Sequence, residues 1–384
     1  MRGSPGNDMQ PLVHIGWVLT ADTRNEAIIA ECRRGAQRLQ SVLQQQFPSF
    51  RWRVEFLHRH RYAPRGTLDP LHILEYGVQE KTVQRWDYGL MIVTNALEPR
   101  QRVRTLGVPS SALEMAVLST ADLGSVGEMG ERLVALALHL LGHVWGLEHE
   151  EEGPMVPPES VERLQIAPFP ERQQIAIHDR LDEVADKRLE EQQRSWNMAI
   201  FYLRAFLADP KSILIDTIGY APWRLPLQMG RLTAATAISL VFLLLAAEAW
   251  EIGVNLSLAK LAVGSIFAVL LATLFIFNGQ NLGEFSRQAA PREQLTRTRI
   301  VIFGTLLLGI VTLWLLLFVV SYLAARLMPE AILAGWIGVP AVGDPTLLRQ
   351  AAFMALNGVL AGALGGNLED EEKIKAKLLY DEET

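Results

Sequence analysis

The sequence predicts an α/β domain followed by an all-α transmembrane bundle. Strand and helix signals alternate over residues 1–208. Several apolar stretches follow Arg231, and one of them, Ile300 to Ala325, is 26 residues without a charge. About 20 apolar residues cross the hydrocarbon core, so that stretch is long enough for one span.

The elements of the first part follow from local pattern. Leu12 to Thr20 (LVHIGWVLT) reads as a strand, and Asp22 to Gln46 as a helix that Pro48 ends. Asp22 or Thr23 is the expected N-cap; with Thr23, Glu26 is the residue that reaches back. Arg51 to Leu57 alternates as a second strand, Leu71 to Gln84 is helical, and Tyr88 to Thr94 is a buried strand. Ser111 to Ser119 is a further strand, and Glu128 to Trp145 a long apolar helix with a polar face. Charged helices follow Pro158 as far as about Leu207.

Four spans are expected in the second part. The first runs from Leu232 to about Trp250, the second from Leu261 to about Phe277, and the third is Ile300–Ala325. The fourth, Ala351 to Gly366, carries Gly358, Gly362 and Gly366 at four-residue spacing, which suits close helix packing in a bilayer. Ala331 to Val342, broken by Pro340, is too short to span and reads as a re-entrant or interfacial loop. Glu248 is near enough to an interface to reach water. Lys211, Arg224 and Arg231 precede the first span; Arg287, Arg292, Arg297 and Arg299 lie between the second and third; Lys373, Lys375 and Lys377 follow the fourth. By the positive-inside rule, the N-terminal domain and the tail face the cytoplasm. The expected organisation is a domain at 1–208, a juxtamembrane linker at 209–231, a membrane domain at 232–366 and a charged tail at 367–384.

Composition narrows the function. Hydrophobic residues make up 49% of the 384 residues, charged residues 20%, and mean hydropathy is +0.16. This is too apolar for a disordered chain. Net charge is −6, with 36 basic and 42 acidic residues, which argues against a nucleic-acid partner. Cys32 is the single cysteine, so an intramolecular disulfide and a Cys-rich zinc finger are excluded. The first thirty residues lack a basic region followed by an apolar core, so no secretory leader is expected, and MRGSPGNDMQ reads as a short lead. The spans show no repeat and no charge ladder, which disfavours a transporter or channel.

The chemistry concentrates at the end of the long helix, in HLLGHVWGLEH, His139 to His149. His139 and His143 are four apart and share a helical face. Gly146 permits a sharp exit, and His149 returns three residues later. Three converging neutral imidazoles make a tetrahedral zinc site with one open position.

This pattern resembles the metzincin signature HExxHxxGxxH, and is most similar to that of the archaemetzincins. DYGLMIVTNAL resembles their central strand, AVLSTADL their edge strand, and Met155 in GPMVPP sits where a Met-turn is expected. The resemblance covers about residues 10–185. It implies a zincin-like fold, zinc bound by His139, His143 and His149, and Gly146 and Met155 as structural residues of the site. Two departures matter. Leu140 stands where the family has its general-base glutamate, and leucine cannot accept a proton. Glu150 follows His149 with no cysteine after it, so the family's second, cysteine-bound zinc is absent. Glu148, Glu150 and Glu151 read as solvated surface, with a supporting role toward a ligand imidazole as the alternative.

Three readings follow. The first is a zinc-binding, catalytically degenerate peptidase that binds peptide or protein along the strand near Ala116 to Ser119. The second is an active membrane-bound metallopeptidase with a non-standard base. The third is a metal-free membrane scaffold that docks partners through Glu171 to Arg194.

Overall fold

The computed structural model describes residues 10–21, 25–60, 66–99, 105–158, 160–190, 210–280, 282, 293–338, 342–369, 374–375 and 379–380. The chain divides into two compact units. The first is Met1–Phe201 with Phe285–Leu295 and Leu379–Thr384; the second is Tyr202–Glu284 with Thr296–Leu378. The lead at 1–9, Asp22, Thr23, Glu191, Arg194, Arg287, Arg292, Pro340, Lys373 and Lys377 lie outside the described residues.

The first unit is a three-layer α/β domain. Five strands, β1 (Leu12–Thr20), β2 (Arg51–Arg59), β3 (Tyr88–Val93), β4 (Gly107–Ser110) and β5 (Met115–Ser119), form one sheet in the order β2-β1-β3-β5-β4. β1, β2, β3 and β5 run parallel, and β4 is antiparallel to β5. Both faces of the parallel strands are covered, which is why β1 and β3 are nearly continuous apolar runs rather than alternating ones. Val13, Ile15, Trp17 and Leu19 of β1, with Leu90, Ile92, Ala116 and Leu118, pack under α1 (Glu26–Gln46) and α3 (Val126–Val144). On the other face α2 (Pro70–Gln84) lies over β3 and β5. There a Cβ on Gly77 would stand 2.3 Å from Met115 and 2.8 Å from Met91.

The helix ends have identifiable causes. Asn25 caps α1, its Oδ1 accepting from the Ala27 N–H at 3.1 Å. Asp69 caps α2, accepting from Leu71 N–H at 2.9 Å with Pro70 next, and Arg85 ends it in the left-handed region at φ 61°. Before α3, Glu128 accepts from the Ser125 hydroxyl at 3.0 Å, and the Ser125 and Glu128 pair forms a capping box. A fourth helix, α4 (Glu171–Glu190), buries Ile177 and Leu181 in the same core as α1 and α3.

One expectation is corrected. The strand containing Ala116 to Ser119 is not an edge strand: β5 is paired by β3 on one side and β4 on the other. It cannot take an added strand. The edge on this side of the sheet is β4, a four-residue strand with Pro109 in it, and proline is tolerated there because an edge strand leaves half its N–H groups outside the ladder.

On the α2 face sits a buried ion pair. Lys81 Nζ donates to Glu114 at 2.7 Å and to the Leu113 carbonyl at 2.9 Å, with both residues under 10% exposed. Removing one partner strands a charge in the interior. We expect Lys81→Met to lose about 3–5 kcal/mol in chemical denaturation. Restoring most of that loss by adding an apolar residue at Glu114 would tie it to the stranded carboxylate. On the opposite face, Cys32 of α1 is also buried; burial, aided by Glu31, pushes its thiol up to about 12, so it is not a nucleophile at neutral pH.

The second unit is helical. Leu258–Gly279, Arg299–Leu327 and Asp344–Gly366 are each long and apolar enough to cross a membrane. The first expected span differs. Its helix is Gly230–Leu245, 16 residues, which covers about 24 Å at 1.5 Å per residue. Ala246 then leaves helical geometry before Ala247–Asn255 begins. It reaches span length only together with Thr217–Gln228, from which it bends by 57°. Glu248 lies in the short helix beyond the break and is exposed. Most of the expected re-entrant stretch is an eight-residue helix, Glu330–Ile337.

The glycines of the last helix set the packing. A Cβ on Gly362 would meet Thr236 at 2.3 Å, and one on Gly365 would meet the Arg231 carbonyl at 2.5 Å. Only glycine lets the helix Gly230–Leu245 approach this closely. The Arg231 N–H and guanidinium also bond the Glu369 carboxylate and the Leu368 carbonyl. Entry to the bundle and exit from it are therefore at the same end. Gln280 donates to the carbonyls of Gly366 and Asn367 at 3.2 and 3.0 Å, tying off the last helix there. Beyond it, Leu379 and Tyr380 are buried in the first unit, where the Tyr380 hydroxyl donates to Asp69 at 3.3 Å.

Candidate metal centre

α3 ends at Val144, and the turn that follows is a Schellman motif. Gly146 N–H donates to His143 O at 2.8 Å, and Leu147 N–H to Gly142 O at 2.9 Å. The motif needs a left-handed residue, and Gly146 has φ 88°. Reversal here brings His149 back over the last turn of the helix. Trp145, the capping residue, is fixed from below by Phe47, Trp52 and Phe169, with ring centroids 6.0 to 6.3 Å away.

The structure brings all three histidines together. His139 Nε2 and His143 Nε2 are 3.2 Å apart, His143 Nε2 and His149 Nε2 3.2 Å, and His149 Nε2 and His139 Nε2 3.4 Å. Tetrahedral zinc with Zn–N of about 2.0–2.1 Å holds its nitrogens about 3.3–3.4 Å apart. The spacing matches a shared ion. Among the described residues no other group of His, Cys, Asp or Glu side chains converges in this way, and no carboxylate joins this one.

The outer nitrogens support the same conclusion. His139 Nδ1 lies 2.7 Å from the Pro154 carbonyl and His143 Nδ1 lies 3.0 Å from the Leu147 carbonyl. A carbonyl only accepts, so both Nδ1 atoms carry the proton, and each neutral ring keeps its Nε2 lone pair for the centre. The Nε2 lone pairs of His139 and His143 face each other at 3.2 Å and repel, and a cation shared with His149 Nε2 would remove that repulsion. The donor set therefore fits a divalent metal that accepts imidazole, with ligand rings oriented by backbone carbonyls.

Met155 is fully buried in the turn Gly153–Met155, directly beneath α3. A Cβ on Gly142 would lie 2.1 Å from Met155 Sδ. The Met155 carbonyl in turn accepts from Glu150 N–H at 3.1 Å, next to His149. Gly142, Met155, Pro154 and Glu150 thus form one packed chain linking all three imidazoles. We expect Gly142→Ala to push the turn away, with a stability loss of about 1–3 kcal/mol from overpacking and a metal affinity about 10–100-fold weaker. Equilibrium dialysis against a competing chelator measures the second effect. Unchanged affinity would show that the turn does not orient the ligands.

Leu140 is fully buried, and its Cδ1 stands 2.5 Å from where a Cβ of Gly107 would be. It fills the space between α3 and the edge strand β4. Glu148, Glu150 and Glu151 are exposed. The position after the first histidine thus carries packing and no proton acceptor. Sequence reasoning did not find Gly142 or the Pro154 and Leu147 carbonyls. The HLLGH spacing contains Gly142, but its purpose appears only once Met155 is seen against it.

No family model and no curated protein matches this chain. Among solved structures, it is similar to the archaemetzincin of Methanopyrus kandleri at 19% identity, over 44% of this chain and 96% of that one, with a TM-score of 0.35. It is also similar to a zinc-dependent peptidase of Methanocorpusculum labreanum (16% identity, 42% and 99% of the two chains, TM-score 0.35). The archaemetzincin of Archaeoglobus fulgidus, complexed with malonate, gives 18% identity, 43% and 99% coverage and a TM-score of 0.32.

Proposed function

We propose that this chain is a membrane-anchored, zinc-binding metzincin-like protein that has lost peptide hydrolysis and binds peptide or protein. The convergence of three Nε2 atoms at 3.2 to 3.4 Å, beside a leucine where a base is needed, carries this reading. Three imidazoles, two of them buried, without thiolate or carboxylate suit zinc among the common divalent ions. Zinc held by three histidines supplies Lewis acidity toward a carbonyl oxygen or a water.

The chain's own residues do the rest. His139, His143 and His149 would hold the metal, and the Pro154 and Leu147 carbonyls orient the first two rings. Leu140, next to His139, cannot take a proton from water. General acid–base help is worth about 10²–10⁴ in rate, so its loss leaves binding without useful turnover. An extended ligand would pair with β4, the edge strand beside β5, because β5 itself is paired on both sides. Net charge of −6 speaks against nucleic acid as that ligand.

Three apolar helices, or four with the bent pair, anchor the protein in a membrane. The N-terminal domain and the tail face the cytoplasm in this reading. The arginines and lysines flanking the spans support that side, as does the meeting of Arg231 with Glu369 at one end of the bundle.

The intact histidine set with its Met-turn also suits an active peptidase that uses a non-standard base. Incubation of the zinc-loaded chain with a mixed peptide library separates the two. Our reading expects peptides retained in a zinc-dependent manner and recovered uncleaved. New cleavage products that disappear in His139→Ala would establish the active enzyme instead.

A further inference from the structure

We propose a second, metal-independent site in the first unit: Ser49, His178 and Asp182 form a nucleophilic relay that takes small, neutral or cationic activated esters. It stands apart from the metal centre and does not depend on that reading.

Ser49 lies in the turn between α1 and β2, and His178 and Asp182 sit one helical turn apart on α4. Ser49 Oγ is 3.0 Å from His178 Nε2, and His178 Nδ1 is 3.0 Å from Asp182 Oδ2. A carboxylate can only accept, so Nδ1 carries a proton toward Asp182, and in the neutral ring Nε2 is the nitrogen that can accept the hydroxyl proton. This is the tautomer that a serine nucleophile needs, and such relays are identified by geometry and not by chain order.

The relay is held in place. Ile177 and Leu181, the residues preceding His178 and Asp182, are fully buried, which fixes the rotation of α4. Phe169 N–H donates to Gln46 Oε1 at 3.0 Å, fastening the approach to α4 onto the end of α1. The Phe50 ring packs on the imidazole with centroids 4.9 Å apart.

Ser49 and His178 line a cavity of about 380 Å³, within the range of small-molecule sites. Its rim carries Glu171 and Asp179 and no lysine or arginine, which disfavours anionic substrates. Phe47, Pro48 and Ile175 offer apolar wall for a short acyl chain.

The reaction balances without a further reactant. Ser49 Oγ bonds to the ester carbonyl carbon, and its proton passes to His178 Nε2. The bond to the leaving oxygen breaks, and that oxygen takes the proton from Nε2 as the alcohol departs. Water then adds to the acyl carbon and passes a proton to His178 Nε2; the bond from that carbon to Ser49 Oγ breaks, and Oγ takes the proton from Nε2. The products are the carboxylic acid and the alcohol.

Solvent access sets the scale. The His178 and Asp182 side chains are 44% and 55% exposed, so the hydrogen bond between them is weakened by water. A positioned general base is worth about 10²–10⁴. The relay therefore suits activated esters with good leaving groups.

The test uses the 384-residue chain in detergent with EDTA present, so that zinc chemistry cannot contribute. A fluorophosphonate probe and p-nitrophenyl acetate are applied, and the modified residue is mapped by peptide mass spectrometry. We expect modification at Ser49, none there in Ser49→Ala, about 10²-fold slower labelling in His178→Ala, and an intermediate rate in Asp182→Asn. Circular dichroism checks that these solvent-facing variants stay folded. Labelling elsewhere, no labelling, or a Ser49 rate indifferent to His178→Ala would overturn the proposal.

Discussion

Replacing Leu140 by glutamate is expected to raise zinc-dependent peptide hydrolysis by about 10²–10⁴-fold over the unmodified chain. Leu140 follows His139 directly and fills the space between α3 and Gly107 of β4. A carboxylate there supplies, directly after His139, the proton acceptor that this position lacks. The substitution also has a cost. Leu140 is fully buried, and losing a leucine from such a site removes about 1.5–3 kcal/mol of burial. Leu140→Gln separates these effects, because glutamine carries the same polar burden and accepts no proton at neutral pH. The account expects Leu140→Gln to be destabilised and inactive and Leu140→Glu to be destabilised and active. Peptidase activity in the unmodified chain, sensitive to chelation, would contradict the loss of turnover.

The second large effect concerns stability. Metal that binds only the folded state stabilises it by RT ln(1 + [L]/Kd), about 4.1 kcal/mol at a thousandfold excess over Kd. Zinc is therefore expected to raise the unfolding temperature of the first unit, and EDTA to lower it. In His139→Ala the shift should vanish, because two imidazoles cannot close the site and the Pro154 carbonyl loses its donor. Scanning calorimetry with and without EDTA reads this directly. An equal zinc shift in His139→Ala would place the stabilising ion elsewhere.

The convergence of the three histidines is legible in the sequence where spacing carries the geometry. His139 and His143 at i and i+4, with Gly146 before His149, encode a shared helical face and a left-handed turn. The α/β character was equally legible, because β1 and β3 are apolar runs and α1 and α3 have clear periodicity. What failed was short or tertiary in origin. β4 is four residues, Gly-Val-Pro-Ser, with neither length nor alternation to announce a strand, so the edge was assigned to β5. The break at Ala246 falls in Leu-Ala-Ala-Glu without a proline or glycine. The carbonyls orienting the histidines are backbone groups and carry no residue identity. Ser49 and His178 are 129 residues apart, a distance closed by the burial of Ile177 and Leu181 of α4 in the domain core.

Zinc content per chain, measured on the purified 384-residue protein beside His143→Ala, tests the central claim most directly. The account predicts about one zinc in the unmodified chain and none in the folded variant. A folded, unmodified chain that binds no zinc would contradict it and leave the metal-free scaffold.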